Sequence, residues 1–440
     1  MRLILIDSLR ENRSNFYPLV LGRPIWELRC GFSSLEDKLI AKINPDEIAY
    51  FVPDYMATYY RTQVEKPVND VTMLAGDDLL LVDPSVKAAN FDPALAGGQA
   101  PPAEAGVKAK GPSEIGINEQ GQVLYSRISE KDVGGLTAGS IDQFVASAKA
   151  SLPNVKCELS TWEYTWDLVL ANCEEIATEF AVAGRSGIEG NVEEPLAIRG
   201  SKKDVYVAPG AKVHPMVTLD AEHGPIYIDE GAEIHPFSRV EGPCYIGKNS
   251  LLLGAKCREG NSIGDFCRVG GEVEESIIHG YSNKYHDGFL GHSYVGEWVN
   301  LGALTTNSDL KNDYSNVSVM LDGRRSIDTG STKVGSLIGD HAKTSIGTLL
   351  NTGSYVGAMA LIMATGKPLP KHIPSFGWFI EGIVTKGFGK GRLYEAAKTA
   401  MSRRRCQWTQ QTEAMWDAVF EITSPVRKAA IKKGRRRLSM

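Results

Sequence analysis

From Val205 to about Ala364, apolar residues in this 440-residue chain return at every sixth position. Ile228, Ile234, Val240, Ile246 and Leu252 form one run. Phe289, Val295 and Leu301 form a second, and Ile338, Thr344, Leu350, Val356 and Ile362 a third. Glycine often follows the apolar residue, as in "IGKNSL", "IGDFCR" and "VGAMAL". A period of six is neither the 3.6 of an amphipathic helix nor the alternation of a half-wet strand. It predicts a parallel β-helix over 205–365, in which each hexad supplies one short strand and one corner and the stacked coils bury the apolar position. The beat falters near 270–288 and 304–333. A solenoid admits extra residues only as loops expelled from its corners, and such loops commonly carry function. The first break contains "GYSNKYHDGFLGH" (280–292), which crowds histidine, lysine, tyrosine and an amide into one turn.

The flanks have other patterns. Residues 1–195 are expected to form a mixed α/β domain, with "RLILID" and "VTMLAGDDLLLVD" as buried strands and "NCEEIATEFAVA" at helical spacing. Within it, 96–112 ("AGGQAPPAEAGVKAKGP") lacks bulky residues and predicts a mobile insertion. The prolines of "KPLPKHIPSFGWF" end the stacking, and 366–440 is expected to be a cap and a basic helical tail. From Thr385 onward there are fourteen Lys and Arg against four Asp and Glu, although the whole chain carries −5. A solvated or inter-subunit helical tail accounts for that charge better than a nucleic-acid or membrane surface. Seven cysteines without a CxxC pair favour neither disulfides nor a zinc site, so a reducing cytoplasm is the expected setting. No apolar run approaches the length of a membrane span.

An α/β domain followed by hexapeptide repeats, with "SNKYHDGFLG", "VNLGA" and "LIGDHAKTSIG" in the repeats, resembles a known bacterial family. These are the bifunctional N-acetylglucosamine-1-phosphate uridyltransferase/glucosamine-1-phosphate acetyltransferases. The resemblance is closest to a divergent branch with a shortened nucleotidyltransferase domain. It implies a left-handed β-helix, acetyl-CoA as acetyl donor, a sugar phosphate and UTP as substrates, Mg²⁺ for nucleotidyl transfer, and a homotrimer. His286, five residues before the glycine of "FLG", would be the catalytic base. Arg268, Lys284, Tyr285, Asn300 and Asn307 would bind the sugar substrate, and Ala303, Ile346 and Ala364 acetyl-CoA. In place of the usual glycine-rich loop, "DSLRENRSNFYPLVLGRP" offers Arg10, Arg13 and Arg23 as clamps for the nucleotide phosphates. Asp77 and Asn172 would hold the metal. The family's tyrosine near the histidine is Phe289 here.

The chemistry of the turn stands apart from the resemblance. An amine attacking a thioester must lose a proton, and a histidine with an ordinary pKa near 6.5 is suited to take it. Asp287 is placed to orient the ring, and Lys284 and Arg268 to hold a phosphate. Two other classes compete. One is a zinc enzyme of carbonic-anhydrase type with His286, His292 and His341 on successive coils. The other is a trimeric scaffold without catalysis.

Overall fold

The computed structural model describes residues 1–7, 12–91 and 106–438. The chain divides into two units: Met1–Arg13 with Gly22–Leu28 and Ser33–Glu163, and Ser14–Leu21 with Arg29–Phe32 and Tyr164–Met440. Most of the predicted 96–112 insertion lies outside the described residues.

The first unit is built on three parallel strands, β1 (Arg2–Ile6), β2 (Glu47–Phe51) and β3 (Leu79–Val82), with β1 in the middle. Their near-continuous apolar sequences are those of strands buried on both faces. Residues Val123–Ile128 extend the sheet antiparallel to β3. The helix Leu35–Ile43 starts at a Ser34–Asp37 capping box and buries Leu35, Leu39 and Ile43.

The second unit is a parallel β-solenoid with helices at its C-terminus, the left-handed hexapeptide architecture that the six-residue beat and the resemblance lead one to expect. Three interior rows make its core. The longest runs Val207, Ile228, Ile246, Ile263, Ile278, Val295, Ile338, Val356, Ile373, each paired in register with the next and all buried. Neighbouring strands lie about 4.8 Å apart, so every coil position becomes a row of equivalent side chains. Of the predicted in-phase residues, Phe289 alone falls outside: Leu290, paired with Val273, takes the interior place.

The solenoid is longer at both ends than the 205–365 expected. Pairing already begins with Gly187–Ile188 and Asn191–Val192. This first coil has an open end, and its apolar residues are few and only partly buried, which hid the beat. Beyond Pro368, His372–Ile373 still pairs with Tyr355–Val356, and Trp378–Ile380 with Leu361–Ile362. The prolines fall between strands, where no ladder hydrogen bond is lost. Ala430 and Ile431 of the last helix, Ser424–Leu438, pack against the end of the core. The helix Thr165–Ala183, expected in the first domain, belongs to the solenoid unit, and its Asn172 amide bonds Gly31, Gly260 and Ser262.

One segment is expelled. Between Asn307 and Ser336 the chain leaves the stack and forms a small antiparallel pair, Ser318–Val319 with Ile327–Asp328. It then resumes in register, with Val295 against Ile338. The other break does not leave the coil: 285–288 is a corner between Asn283–Lys284 and Phe289–Gly291.

An ion cluster around a buried histidine ties down the start of the expelled segment. His292, 2% exposed, places Nδ1 at 2.8 Å from Asp309 and Nε2 at 3.2 Å from Glu275. Burial alone would depress its pKa, but hydrogen bonds to the two carboxylates outweigh it and hold the imidazolium up to about 9. The hydrogen bond from His292 holds Glu275 below its ordinary value, and Asp309 is lowered in spite of its burial. A raised histidine stabilises the fold fully below its unfolded pKa near 6.5 and loses that contribution as pH rises through about 9. The lowered carboxylates contribute above their unfolded values near 4 and lose it as pH falls through the folded ones. Stability from this cluster should therefore plateau between about pH 5 and 6.5 and drop by roughly 3 kcal/mol toward pH 10. Denaturant unfolding across that range checks it. His292→Gln should flatten the alkaline slope; an unchanged slope would remove His292 as its source.

Candidate functional site

The corner at 285–288 is fixed by an unusual inward residue. Lys284 is paired with Val269 of the previous coil, so its side chain enters the interior row rather than the surface. It is 3% exposed, and its ammonium donates to the carbonyls of Gly270 at 3.0 Å and His286 at 2.6 Å. Burial pushes its pKa down to about 8. Lys284 thus anchors the backbone of His286, and its ammonium is buried, whereas the sequence led to the expectation that it binds the sugar phosphate. Asn307 is also turned inward. Its amide bonds both the N–H and the carbonyl of Gly291 at 2.9 Å and Ser293 Oγ at 3.2 Å. A strand alternates its faces, so one position of offset decides between core and surface.

His286 itself is exposed, with the Tyr285 ring 4.9 Å away. Equivalent positions on the following coils carry Ala303, Ile346 and Ala364, because Asn283 pairs with Asn300, Asn300 with Lys343, and Lys343 with Leu361. The predicted base and the three predicted acetyl-CoA residues therefore form one column along a single corner. A depression of 410 Å³ opens there, lined by Tyr285, His286, Asp287, Ala303 and Leu304 among others. On the adjoining outer face stand Arg268, Asn283, Asn300 and Lys343, in that order along the coils. Arg404 reaches this row from beyond the solenoid and donates to Asn283 at 3.2 Å. Burial, with the nearby Arg268 and Arg403 charges, lowers the Arg404 pKa. Lys343, also lowered to about 8 by burial, went unread in the sequence; its place one strand beyond Asn300 was the available signal.

His286, His292 and His341 are not gathered as metal ligands. His292 is held by its two carboxylates, and His341 stacks on Trp298 with ring centroids 6.2 Å apart and meets Trp416 edge-on at 5.6 Å. Among the described residues, the groupings able to hold an ion include none of the three.

In the first unit, the carboxyl ends of parallel strands are where α/β sheets bind ligands. Asp7 follows β1 and Asp83 follows β3. Asp83 Oδ1 accepts from the Ser85 N–H and hydroxyl at 2.8 and 2.6 Å. Asp7 is fully buried, with Oδ2 bonded by Arg13 Nε at 2.8 Å and Oδ1 without a partner among the described residues. Burial lifts its pKa, Arg13 opposes the lift, and Asp83 adds to it. A cavity of 590 Å³ borders Asn12, Asp83, Tyr125, Lys149 and Glu163.

Other predicted residues are placed differently. Asp77 precedes β3, at its amino end, and its carboxylate lies 3.2 Å from the Met1 ammonium. Asn172 is engaged within the solenoid unit, where its amide is taken up by Gly31 and Gly260. Arg13 is committed to Asp7, Tyr55 and the Arg23 carbonyl, so it orders the strand end instead of presenting a free clamp. Arg23 is buried at 6% exposure, and Arg10 lies outside the described residues. Asp83 was missed although it closes the apolar run "LLLV".

Residues 3–186 match the family described as sugar nucleotidyl transferase. A bifunctional sugar-1-phosphate nucleotidylyltransferase/acetyltransferase of Sulfurisphaera tokodaii is 38% identical over 91 residues, 21% of this chain and 22% of the relative. The bifunctional protein GlmU of Rippkaea orientalis is 38% identical over 76 residues, 16% of each chain. The matched stretches thus span about a fifth or less of these relatives. Among solved structures, a UDP-N-acetylglucosamine acyltransferase aligns with 56% of this chain and 95% of its own, at 14% identity and a TM-score of 0.26. The acyltransferase of that name from Campylobacter jejuni aligns with 52% and 94%, at 13% identity and a TM-score of 0.21. The chain is therefore similar over residues 3–186 to the sugar nucleotidyl transferase family, and over part of its length to bifunctional nucleotidylyltransferase/acetyltransferases, and it carries a hexapeptide-type β-solenoid.

Proposed function

We propose that the chain carries two transferase sites: one that acetylates the amine of glucosamine-1-phosphate or a related amino-sugar phosphate from acetyl-CoA, and one that transfers uridylyl from UTP to the acetylated sugar phosphate. The observation that carries the first site is the column His286, Ala303, Ile346, Ala364 on one corner of the solenoid. Its small and apolar members leave room along the corner for an extended thioester cosubstrate beside an exposed imidazole. The amine attacks the thioester carbonyl, the C–N bond forms as the C–S bond breaks, and His286 accepts the amine proton. Lys284 serves by fixing the His286 backbone, since a base works only when held in reach. Arg268, Asn283, Asn300 and Lys343 offer the adjoining face the charge and amides that a sugar phosphate needs.

For uridylyl transfer, Asp83 and the unpartnered oxygen of Asp7 fit a hard cation such as Mg²⁺ at the strand ends. The bound ion would neutralise charge on the phosphates. Arg13 keeps Asp7 in place for it. A homotrimer suits the exposed apolar residues on the same side of the solenoid, Met216 at 57%, Phe237 at 79%, Leu304 at 61% and Ile346 at 72% exposure.

His286→Ala should lower acetyl transfer by roughly 10²–10⁴-fold with CoA affinity nearly unchanged, read by thiol release and by CoA titration. Retention of near-normal rates would take the base away from this corner. His292→Ala is not a neutral companion, because it leaves two partly buried carboxylates without their counter-charge. Asp83→Asn should reduce UTP turnover at least a hundredfold, about 2.7 kcal/mol, while sparing acetyl transfer. Equal loss of both activities would mean that Asp83 acts on folding instead. Light scattering should give three times the 47.9 kDa chain mass; a stable monomer refutes the trimer.

A further inference from the structure

Two coils near the start of the solenoid share a pattern that neither proposed site uses: "AKVHPM" ends at Met216 and "AEIHPF" at Phe237. Lys212–Val213 pairs with Glu233–Ile234, so His214 and His235 occupy the same place on successive coils, their ring centroids 5.1 Å apart. Glu233 lies between them. Its Oε2 is 4.0 Å from His214 Nε2 and 3.7 Å from His235 Nε2, while its Oε1 faces Lys212 at 3.4 Å. We propose that His214, Glu233 and His235 bind a divalent transition-metal ion of the zinc class.

Four observations converge on this. One ligand atom from each residue lies within 4.8 Å of the other two, and Glu233 Oε2 lies at 3.7 and 4.0 Å from the two imidazoles, against about 3.4 Å between donors around tetrahedral zinc. Side-chain rotations of under about 1 Å would close the difference, and all three side chains are partly exposed and able to make them. His235 Nε2 is shielded from solvent yet has no hydrogen-bond partner among the described residues, which is costly for a ring nitrogen unless something else occupies its lone pair or proton. His214 has a carboxylate behind it: Glu193 Oε2 stands 3.4 Å from Nδ1, the arrangement that fixes a ligating imidazole with Nε2 forward. The donor set of two imidazoles and one carboxylate is that of three-ligand zinc sites with an open fourth position. The site sits on the same corner of the solenoid as His286, three coils away from His235, or roughly 14 Å. It is thus independent of acetyl transfer, and its immediate effect is to staple two coils of the stack.

Zinc and cobalt(II) titrated separately into the chelator-stripped full chain test this. We expect one equivalent per chain, visible ligand-field absorption from cobalt, and a rise in the thermal midpoint with zinc. His214→Ala, His235→Ala and Glu233→Gln should each abolish the cobalt band. Glu193→Gln, which removes only the carboxylate behind His214, should weaken affinity about 10- to 100-fold while keeping the band. Absence of stoichiometric binding in the parent chain overturns the proposal, as does binding that His235→Ala and Glu233→Gln leave unchanged.

Discussion

Parallel pairing in strict register is the constraint on which the solenoid depends. Once Val207, Ile228 and Ile246 are paired, every neighbouring position on those coils is placed too. The chain cannot choose side-chain surroundings one residue at a time, because each choice is made next to its counterparts above and below. Apolar rows are the stable solution for the interior, and they explain why a period visible in sequence becomes a continuous core. The same rule on the outside gathers into one column residues that are distant in sequence, as it does for His286 and Ala364.

Polar residues in those interior rows are concentrated in the coils that carry His286, Ala303 and Ile346. Lys284 stands level with Val269, and Asn307 with Leu350. Thr344, level with Ile362, meets Thr305 hydroxyl to hydroxyl at 2.7 Å. An unsatisfied polar group in such a place would cost a few kcal/mol, but Lys284 and Asn307 end on backbone carbonyls or amides. Hydrophobic side chains would fill the same space without specifying where the adjacent corner lies. The hydrogen bonds hold particular carbonyls in particular directions, and one of those carbonyls is that of His286.

The six-residue beat made the solenoid legible because stacked burial leaves a repeated mark on composition. It failed at the first coil, which is covered on one side only, and at 368–380, where proline was taken as an end although it stands between strands. Site residues were harder to place. Asn283 and Lys284 are adjacent and both polar, yet one faces out and one in. Parity could have been extended from Val269, since interior residues of consecutive coils align, but the beat is lost in just that stretch. Phe289 misled for the same reason, with Leu290 being the residue in phase. In the first unit, the sheet made sense of the acids. Asp77 and Asp83 bracket the same strand, and only the direction of that strand separates the end that meets Met1 from the end beside Asp7.

The expelled segment between Asn307 and Ser336 departs from one coil and returns to the register it left. Its ends are therefore fixed by the stack and by the His292 cluster, whatever lies between them. The entropy of closing such a loop grows only as the logarithm of its length, by about 0.6 kcal/mol for each doubling. Insertions and deletions there are nearly invisible to the core, whereas a residue added inside one of the short strands would turn the side chains that follow it in that strand to the wrong face. Descendants of this sequence can thus experiment with the size and chemistry of that loop while the rest of the solenoid remains locked, making it the part of the molecule most open to evolutionary change.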